Sequence, residues 1–194
     1  MEAENTGVKC TVEDVNIPLI IQRMQSQIDN SIDIEKSVKS IESVDIYKGY
    51  GEFTGNKTIK VKFEDGSFSD EITSETIVVC IGARTFVPGI KGLKETGFLT
   101  SETFFNKREI AEDIMKWKDI LIVGGGAIGL EFSHFFSAIG RKVTLIEMKE
   151  RILPIEEKDI SDFVSENLSN SGVEILTGMV ITETYKKNGR KSVV

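Results

Sequence analysis

Cysteine, histidine, long apolar runs and net positive charge are all scarce in this sequence, and each scarcity closes off a class of function. The two cysteines, Cys10 and Cys80, stand far apart and without metal-ligand spacing. Cys80 ends an apolar run and reads as a small core residue rather than a reactive thiol. His134 is the single histidine, with no acid–base partner at recognisable spacing, and reads as a partly exposed packing residue rather than a catalyst. No apolar run approaches the roughly 18 residues of a spanning helix, and the N-terminus lacks a basic-then-apolar signal pattern. A net charge of −7 is the wrong sign for a general nucleic-acid or anionic-membrane surface. These absences point to a reducing compartment, cytoplasmic or, in a eukaryote, the mitochondrial matrix, with neither nucleic acid nor membrane as partner.

What is present is a protein of 194 residues, 40% hydrophobic and 28% charged, able to bury a substantial core as one large domain or two small ones. Its most informative stretch is Gly124-Gly125-Gly126-Ala127-Ile128-Gly129. Before it runs Asp119-Ile120-Leu121-Ile122-Val123, a β-branched run that reads as a buried parallel strand. After it comes an apolar helical stripe, and Glu147 lies 18 residues beyond Gly129. This is the βαβ arrangement of a dinucleotide site. Gly124 allows the tight turn, Gly126 lets the backbone approach a pyrophosphate, and Gly129 lets helix and strand pack closely. The helix start offers N–H groups and a positive dipole end to the phosphates.

Upstream, Asn16 and Pro18 read as a helix start, followed by one apolar face at Ile17, Ile20, Ile21, Met24 and Ile28. A weaker stripe, Ile34, Val38 and Ile41, continues or follows it. Ile59, Val61 and Phe63 then alternate with Lys60 and Lys62, and Asp65-Gly66 supplies a turn before Phe68 and Ile72, a small antiparallel meander. Thr76 to Ile81 is a continuous apolar run halted by Gly82, expected to be a parallel strand buried on both sides. Residues 84–116 are mostly connection, in which Thr100-Ser101-Glu102-Thr103 caps a short helical turn. Beyond the glycine motif the helix is expected to bury Ile128, Phe132, Phe135, Phe136 and Ile139 and to end near Gly140. A strand from Lys142 to Ile146 carries Glu147 at its end. Another helix follows, with Ile160, Phe163, Val164 and Leu168 on one face and Gly172 as its stop, and then the strand Val173 to Leu176. Val180 to Tyr185 and Ser192 to Val194 flank Asn188-Gly189, a hairpin signal.

Glu147 governs cofactor choice. A carboxylate there accepts hydrogen bonds from both adenosine ribose hydroxyls and repels a 2′-phosphate, which favours NAD over NADP; Lys149 softens that repulsion only weakly. Glu131, placed in the first turn of the helix, has two readings: a functional carboxylate, or a surface acid that favours the helix dipole.

Several ordered motifs resemble the pyridine nucleotide-disulfide oxidoreductase flavoproteins, the dihydrolipoamide dehydrogenase type in particular. They are Val123 to Phe132, Gly140 to Glu147 and Arg151-Ile152-Leu153-Pro154. Upstream, Lys48 to Phe53 is similar to that family's segment beside the FAD adenine. Val79-Cys80-Ile81-Gly82-Ala83-Arg84 is similar to its Ala-Thr-Gly strand end, with Cys80 and Ile81 replacing the first two residues, and Thr100 to Thr103 is similar to its Thr-Ser-Asp stretch. The resemblance implies NAD contacts from Gly124, Gly125, Gly126, Ala127, Ile128, Gly129, Leu130 and Glu131, at Glu147 and at Val180. It implies FAD contacts at Gly51, Ile81, Gly82 and Ala83. It also sets Glu131 beside the nicotinamide–flavin junction, where the family's glutamate pairs with a lysine near the redox cysteines.

The fold class implied is α/β, a Rossmann-like NAD-binding domain following a partial FAD-binding domain with a small antiparallel β-meander. The expected boundaries are a partial FAD-binding domain over 1–103, a connection over 104–118, and an NAD-binding domain over 119–194, cut on its C-terminal side. In the family, dihydrolipoamide reduces a disulfide, the thiolate passes electrons to FAD, and reduced flavin gives hydride to NAD. The Cys-x4-Cys pair and the first FAD glycine motif would precede this sequence, and the dimerisation domain with the catalytic His–Glu pair would follow it. The expectation is therefore an internal fragment, inactive alone, of an enzyme that is a homodimer at full length. The alternatives are a non-catalytic NAD-binding module, or a fragment of a related NADH oxidase or mercuric reductase.

Overall fold

A computed structural model describes residues 7–9, 13–31 and 33–194, with the side chains of 30–35 outside the description; Cys10 and the Ile34 side chain therefore lie outside the described residues. The chain forms two compact units: a smaller one, Ser26–Arg84, and a larger one made of the described residues on either side.

The larger unit is built on a three-stranded parallel sheet of β4 (Asp119–Val123), β5 (Lys142–Ile146) and β6 (Val173–Leu176), in that spatial order. Asp119 pairs with Lys142 and Val123 with Ile146, and the register continues from Val143↔Val173 to Ile146↔Leu176. The crossovers are α6 (Ala127–Ala138) and α7 (Lys158–Asn170). Each helix ends as the sequence expects: Gly140 and Gly172 adopt φ of +77° and +85°, a left-handed region that glycine enters without Cβ strain. Val143 and Leu145 of β5 are fully buried, together with Ile110 and Ile114 of α5 (Ile110–Lys116).

The connecting segment packs as aromatic cover. Phe104 of α4 (Ser101–Asn106) meets Phe132 and Phe136 of α6 edge to face, with ring centroids 5.0 and 6.0 Å apart. The start of α4 is a capping box, in which Thr103 N–H donates to Thr100 Oγ1 (3.2 Å) and Thr100 N–H to Thr103 Oγ1 (2.8 Å). A short turn, α3 (Leu93–Thr96), lies against β7 (Thr184–Lys187), which forms a hairpin with β8 (Arg190–Val193), through the buried hydroxyls of Thr96 and Thr184, 3.0 Å apart. The first helix, α1 (Ile17–Ser31), begins as expected, with Leu19 N–H donating to Asn16 Oδ1 at 3.0 Å, and sends Ile17 and Ile21 into the same core.

In the smaller unit, α2 (Asp33–Lys39) precedes a meander of β1 (Tyr50–Gly55), β2 (Thr58–Lys62) and β3 (Ile72–Thr73), antiparallel throughout. Val61 is its buried strand residue. In the Asp65-Gly66 turn the Asp65 carboxylate accepts from both the hydroxyl and the N–H of Ser67, which holds its pKa below the ordinary carboxylate value. No helix among the described residues is long and apolar enough to cross a membrane.

Six expectations are corrected. Thr76 to Ile81 forms no strand: the run is irregular, with Val78 77% and Ile81 89% exposed, because no described strand pairs with it and β geometry needs a ladder partner. Cys80 is accordingly exposed rather than a core residue. β4 is parallel, but it lies at the edge of the described sheet, which leaves Leu121 and Val123 exposed. Ile128 is exposed too: two helical residues stand about 200° apart, and Leu130 takes the inward direction. In α7 the inner positions belong to Ser161 and Leu168, while Ile160 and Phe163 face outward. Ser161 tolerates this burial because its hydroxyl donates to Ile152 O at 2.7 Å. The hairpin keeps its Asn188-Gly189 turn, both at positive φ, but its first strand starts at Thr184 rather than Val180.

The outward placement of Phe163 on α7 gives a direct stability test. Leu168→Ala, at a buried position of α7, should cost about 2–5 kcal/mol in denaturant unfolding, whereas Phe163→Ala should stay within about 0.5 kcal/mol. A large loss at Phe163 would restore the face read from the sequence.

Candidate functional site

The turn from β4 into α6 is held from one side and open on the other. Gly124 takes φ +108°, which turns the chain sharply out of the strand, and its N–H donates to Ile146 O at 2.8 Å. Gly125 is buried; its N–H donates to Glu147 Oε2 at 2.6 Å and its carbonyl accepts from Leu153 N–H at 2.8 Å. Beyond it, no hydrogen-bond partner among the described residues takes the N–H groups of Gly126, Ala127 or Ile128, and no side chain caps the helix. A Cβ placed on Gly126 would meet nothing within 4 Å, so the space before the helix start is clear. At Gly129 the reverse holds: a Cβ would lie 2.0 Å from Gly124 O. Close helix–strand packing is thus what this glycine permits.

Glu147 stands at the C-terminal end of β5, 7% exposed. Its second oxygen, Oε1, accepts from Lys149 N–H at 2.8 Å. The segment after β6 is drawn to the same place: Met179 N–H donates to Glu147 O (3.2 Å) and Gly178 N–H to Lys149 O (2.8 Å), which sets the exposed Val180 next to this lip. A set of free backbone donors at a helix start suits an anion, and a carboxylate beside it suits hydroxyl donors.

The other residues singled out from sequence divide by position. Ala127 and Ile128 are exposed at the helix start, whereas Leu130 faces the core and its N–H donates to Gly126 O. Glu131 is exposed but belongs to the second turn of α6, since its first turn carries no acid. His134 is exposed on the same helix. Gly51 lies in β1, opposite Val61, and Ile81, Gly82 and Ala83 lie in the irregular exposed segment; all four belong to the smaller unit. Sequence reasoning missed the ties from Glu147 and Leu153 to Gly125. The signal was Arg151-Ile152-Leu153-Pro154, quoted above for its resemblance and not for its contacts.

Strand, glycine turn, crossover helix and parallel return strand make this an α/β protein with the opening unit of a doubly wound sheet. The chain belongs to the pyridine nucleotide-disulphide oxidoreductase family, whose model matches residues 4–194. Its members are flavoprotein disulfide oxidoreductases. The chain is 29% identical to the dihydrolipoyl dehydrogenase of Bacillus subtilis over 96% of its own length and 40% of that protein. It is 29% identical to the mercuric reductase of Staphylococcus aureus over 81% of its length and 27% of that protein. Among solved structures it is similar to the HOCl-induced flavoprotein disulfide reductase RclA from Escherichia coli, in its Cu(II) complex, with a TM-score of 0.67, 28% identity, and coverage of 90% of this chain and 38% of that one. The chain thus spans two fifths or less of each of these relatives.

The two flanking glycines should respond oppositely to the same substitution. Gly129→Ala forces a backbone collision and should cost about 3 kcal/mol of unfolding free energy. Gly126→Ala, at φ −81°, should cost no more than about 1 kcal/mol. Equal losses in urea titrations would contradict the packing assigned to Gly129.

Proposed function

We propose that this chain carries the NAD site of an NAD-dependent flavoprotein disulfide oxidoreductase of the dihydrolipoamide dehydrogenase type, and part of its FAD site. The observation that carries the reading is the pairing of three N–H groups that have no partner among the described residues, on Gly126, Ala127 and Ile128, with a carboxylate at the adjoining strand end. The nucleotide pyrophosphate would lie before Gly126, and Glu147 would receive the adenosine ribose hydroxyls through the lone pairs its two backbone donors leave free. Val180 lines the same lip, and Glu131, exposed farther along α6, is the residue facing the redox junction. Nicotinamide, when bound, supplies the hydride chemistry; the protein's part is to orient it and set the local charge.

The flavin portion, at Gly51 and Ile81 to Ala83, is supported by family membership. So is the activity of any longer protein that contains this sequence. The dihydrolipoamide type is preferred to mercuric reductase because equal identity extends over more of the chain, 96% against 81%.

Calorimetric titration of the two nucleotides tests the reading. NAD should bind at least about ten-fold more tightly than NADP, since one lost charge-assisted hydrogen bond is worth roughly 1.5–3 kcal/mol and the 2′-phosphate meets a carboxylate. Gly126→Ala should weaken NAD binding while leaving the fold intact. Equal affinity for both nucleotides, or an indifferent Gly126→Ala, would remove the nucleotide from this turn.

A further inference from the structure

Both backbone polar groups of Gly125 are engaged by the chain that follows β5. Its N–H donates to Glu147 Oε2 at 2.6 Å, and its carbonyl accepts from Leu153 N–H at 2.8 Å. The fit is close enough to exclude a side chain: a Cβ at Gly125 would lie 2.9 Å from Ile152 Cγ2 and 3.1 Å from Glu147 Cβ. Glu147 is itself fixed at two points, since Oε1 accepts from Lys149 N–H. Ile152 is fixed in turn, 1% exposed and with its carbonyl bonded to the Ser161 hydroxyl. The carboxylate therefore spans two places that a dinucleotide would touch separately, the strand end and the glycine turn.

From this geometry we infer that Glu147 is a positioning residue for the pyrophosphate turn, in addition to the ribose-binding role proposed above, on which the binding half of this inference rests. Before any nucleotide arrives, the carboxylate holds Gly125 so that its N–H points back into the protein. The next three N–H groups are then left without a partner among the described residues, beside the clear space at Gly126. The two ends of the site are thereby coupled: a change at the ribose acceptor is felt at the phosphate turn. The same coupling predicts that exchanging Glu147 for a cation is a poor route to NADP use. The new side chain would leave the buried N–H of Gly125 and the part-buried N–H of Lys149 without their carboxylate acceptor.

Two measurements on the chain decide this. The first is amide hydrogen exchange without nucleotide. In the native protein the Gly125 and Lys149 amides should be protected at least about ten-fold more than those of Gly126 and Ala127. In Glu147→Gln, whose single carboxamide oxygen replaces two acceptors, protection should fall at one or both while the amides of β4 and β5 keep theirs. Gly125 exchanging as fast as Gly126 in the native protein would overturn the inference, whether or not any variant folds.

The second is a double-mutant cycle with NAD and its adenosine 2′,3′-dideoxy analogue, which has no ribose hydroxyls for Glu147 to hold. If Glu147 also positions the turn, Glu147→Gln should still weaken the analogue about five-fold or more. An analogue bound equally by both proteins would confine Glu147 to the ribose and overturn the coupling. If the native protein bound neither nucleotide, the functional reading would fail, and the exchange data would still decide whether the carboxylate holds the turn.

Discussion

The hydrogen bond from Gly125 N–H to the Glu147 carboxylate joins residues 22 apart in sequence, and the site depends on it more than on any other contact. A charged group only 7% exposed is costly to bury unless donors compensate it, and here two backbone N–H groups do so. With Gly125 held, the turn after β4 is fixed relative to the end of β5. The loop that follows β5 is fixed by the reciprocal bond from Leu153 N–H to the Gly125 carbonyl. Leu153 reaches that bond with φ +45°, a conformation costing a non-glycine residue on the order of 1 kcal/mol or more, and the surrounding contacts sustain it.

Around this tie the backbone donors of the glycine run fall into two groups. Those of Gly124 and Gly125 face inward and bond to Ile146 O and Glu147; those of Gly126, Ala127 and Ile128 have no partner among the described residues. Burial of the first group rigidifies the second. The helix behind them is stabilised independently by the Phe104, Phe132 and Phe136 cluster and by Gly129 against Gly124 O. Preorganisation of this kind lowers the ordering cost of binding a flexible anion. It also assigns the glycines different work: Gly124 supplies the turn, Gly125 the tie and Gly129 the close approach.

Much of the larger unit was legible in the sequence, because its signals are local. The strands Lys142–Ile146 and Val173–Leu176, the Thr100 capping box and the Asn16 cap need only a few neighbouring residues to declare themselves. What misled were inferences about which side of an element faces in. Hydrophobic periodicity counts Ile160 and Phe163 as core and passes over serine. Yet Ser133 and Ser161 are buried because their hydroxyls find the carbonyls of Gly129 and Ile152. Thr76 to Ile81 misled for another reason: its β-branched composition specifies what a buried strand needs, but pairing is a property of the neighbours. The Glu147–Gly125 tie was hidden because a strand-end acid is read for the ligand it would hold and not for the loop it holds in place.

The central claim is that the turn at Gly124–Ile128 and the strand end at Glu147 form one nucleotide site. Nitrogen-15-resolved amide shifts of the chain during NAD addition test it most directly. The account predicts that the largest changes fall at Gly126, Ala127 and Ile128, with a second set at Glu147 to Lys149, all following one binding isotherm. Saturable binding whose largest shifts lay elsewhere, with Gly126 to Ile128 unmoved, would contradict it.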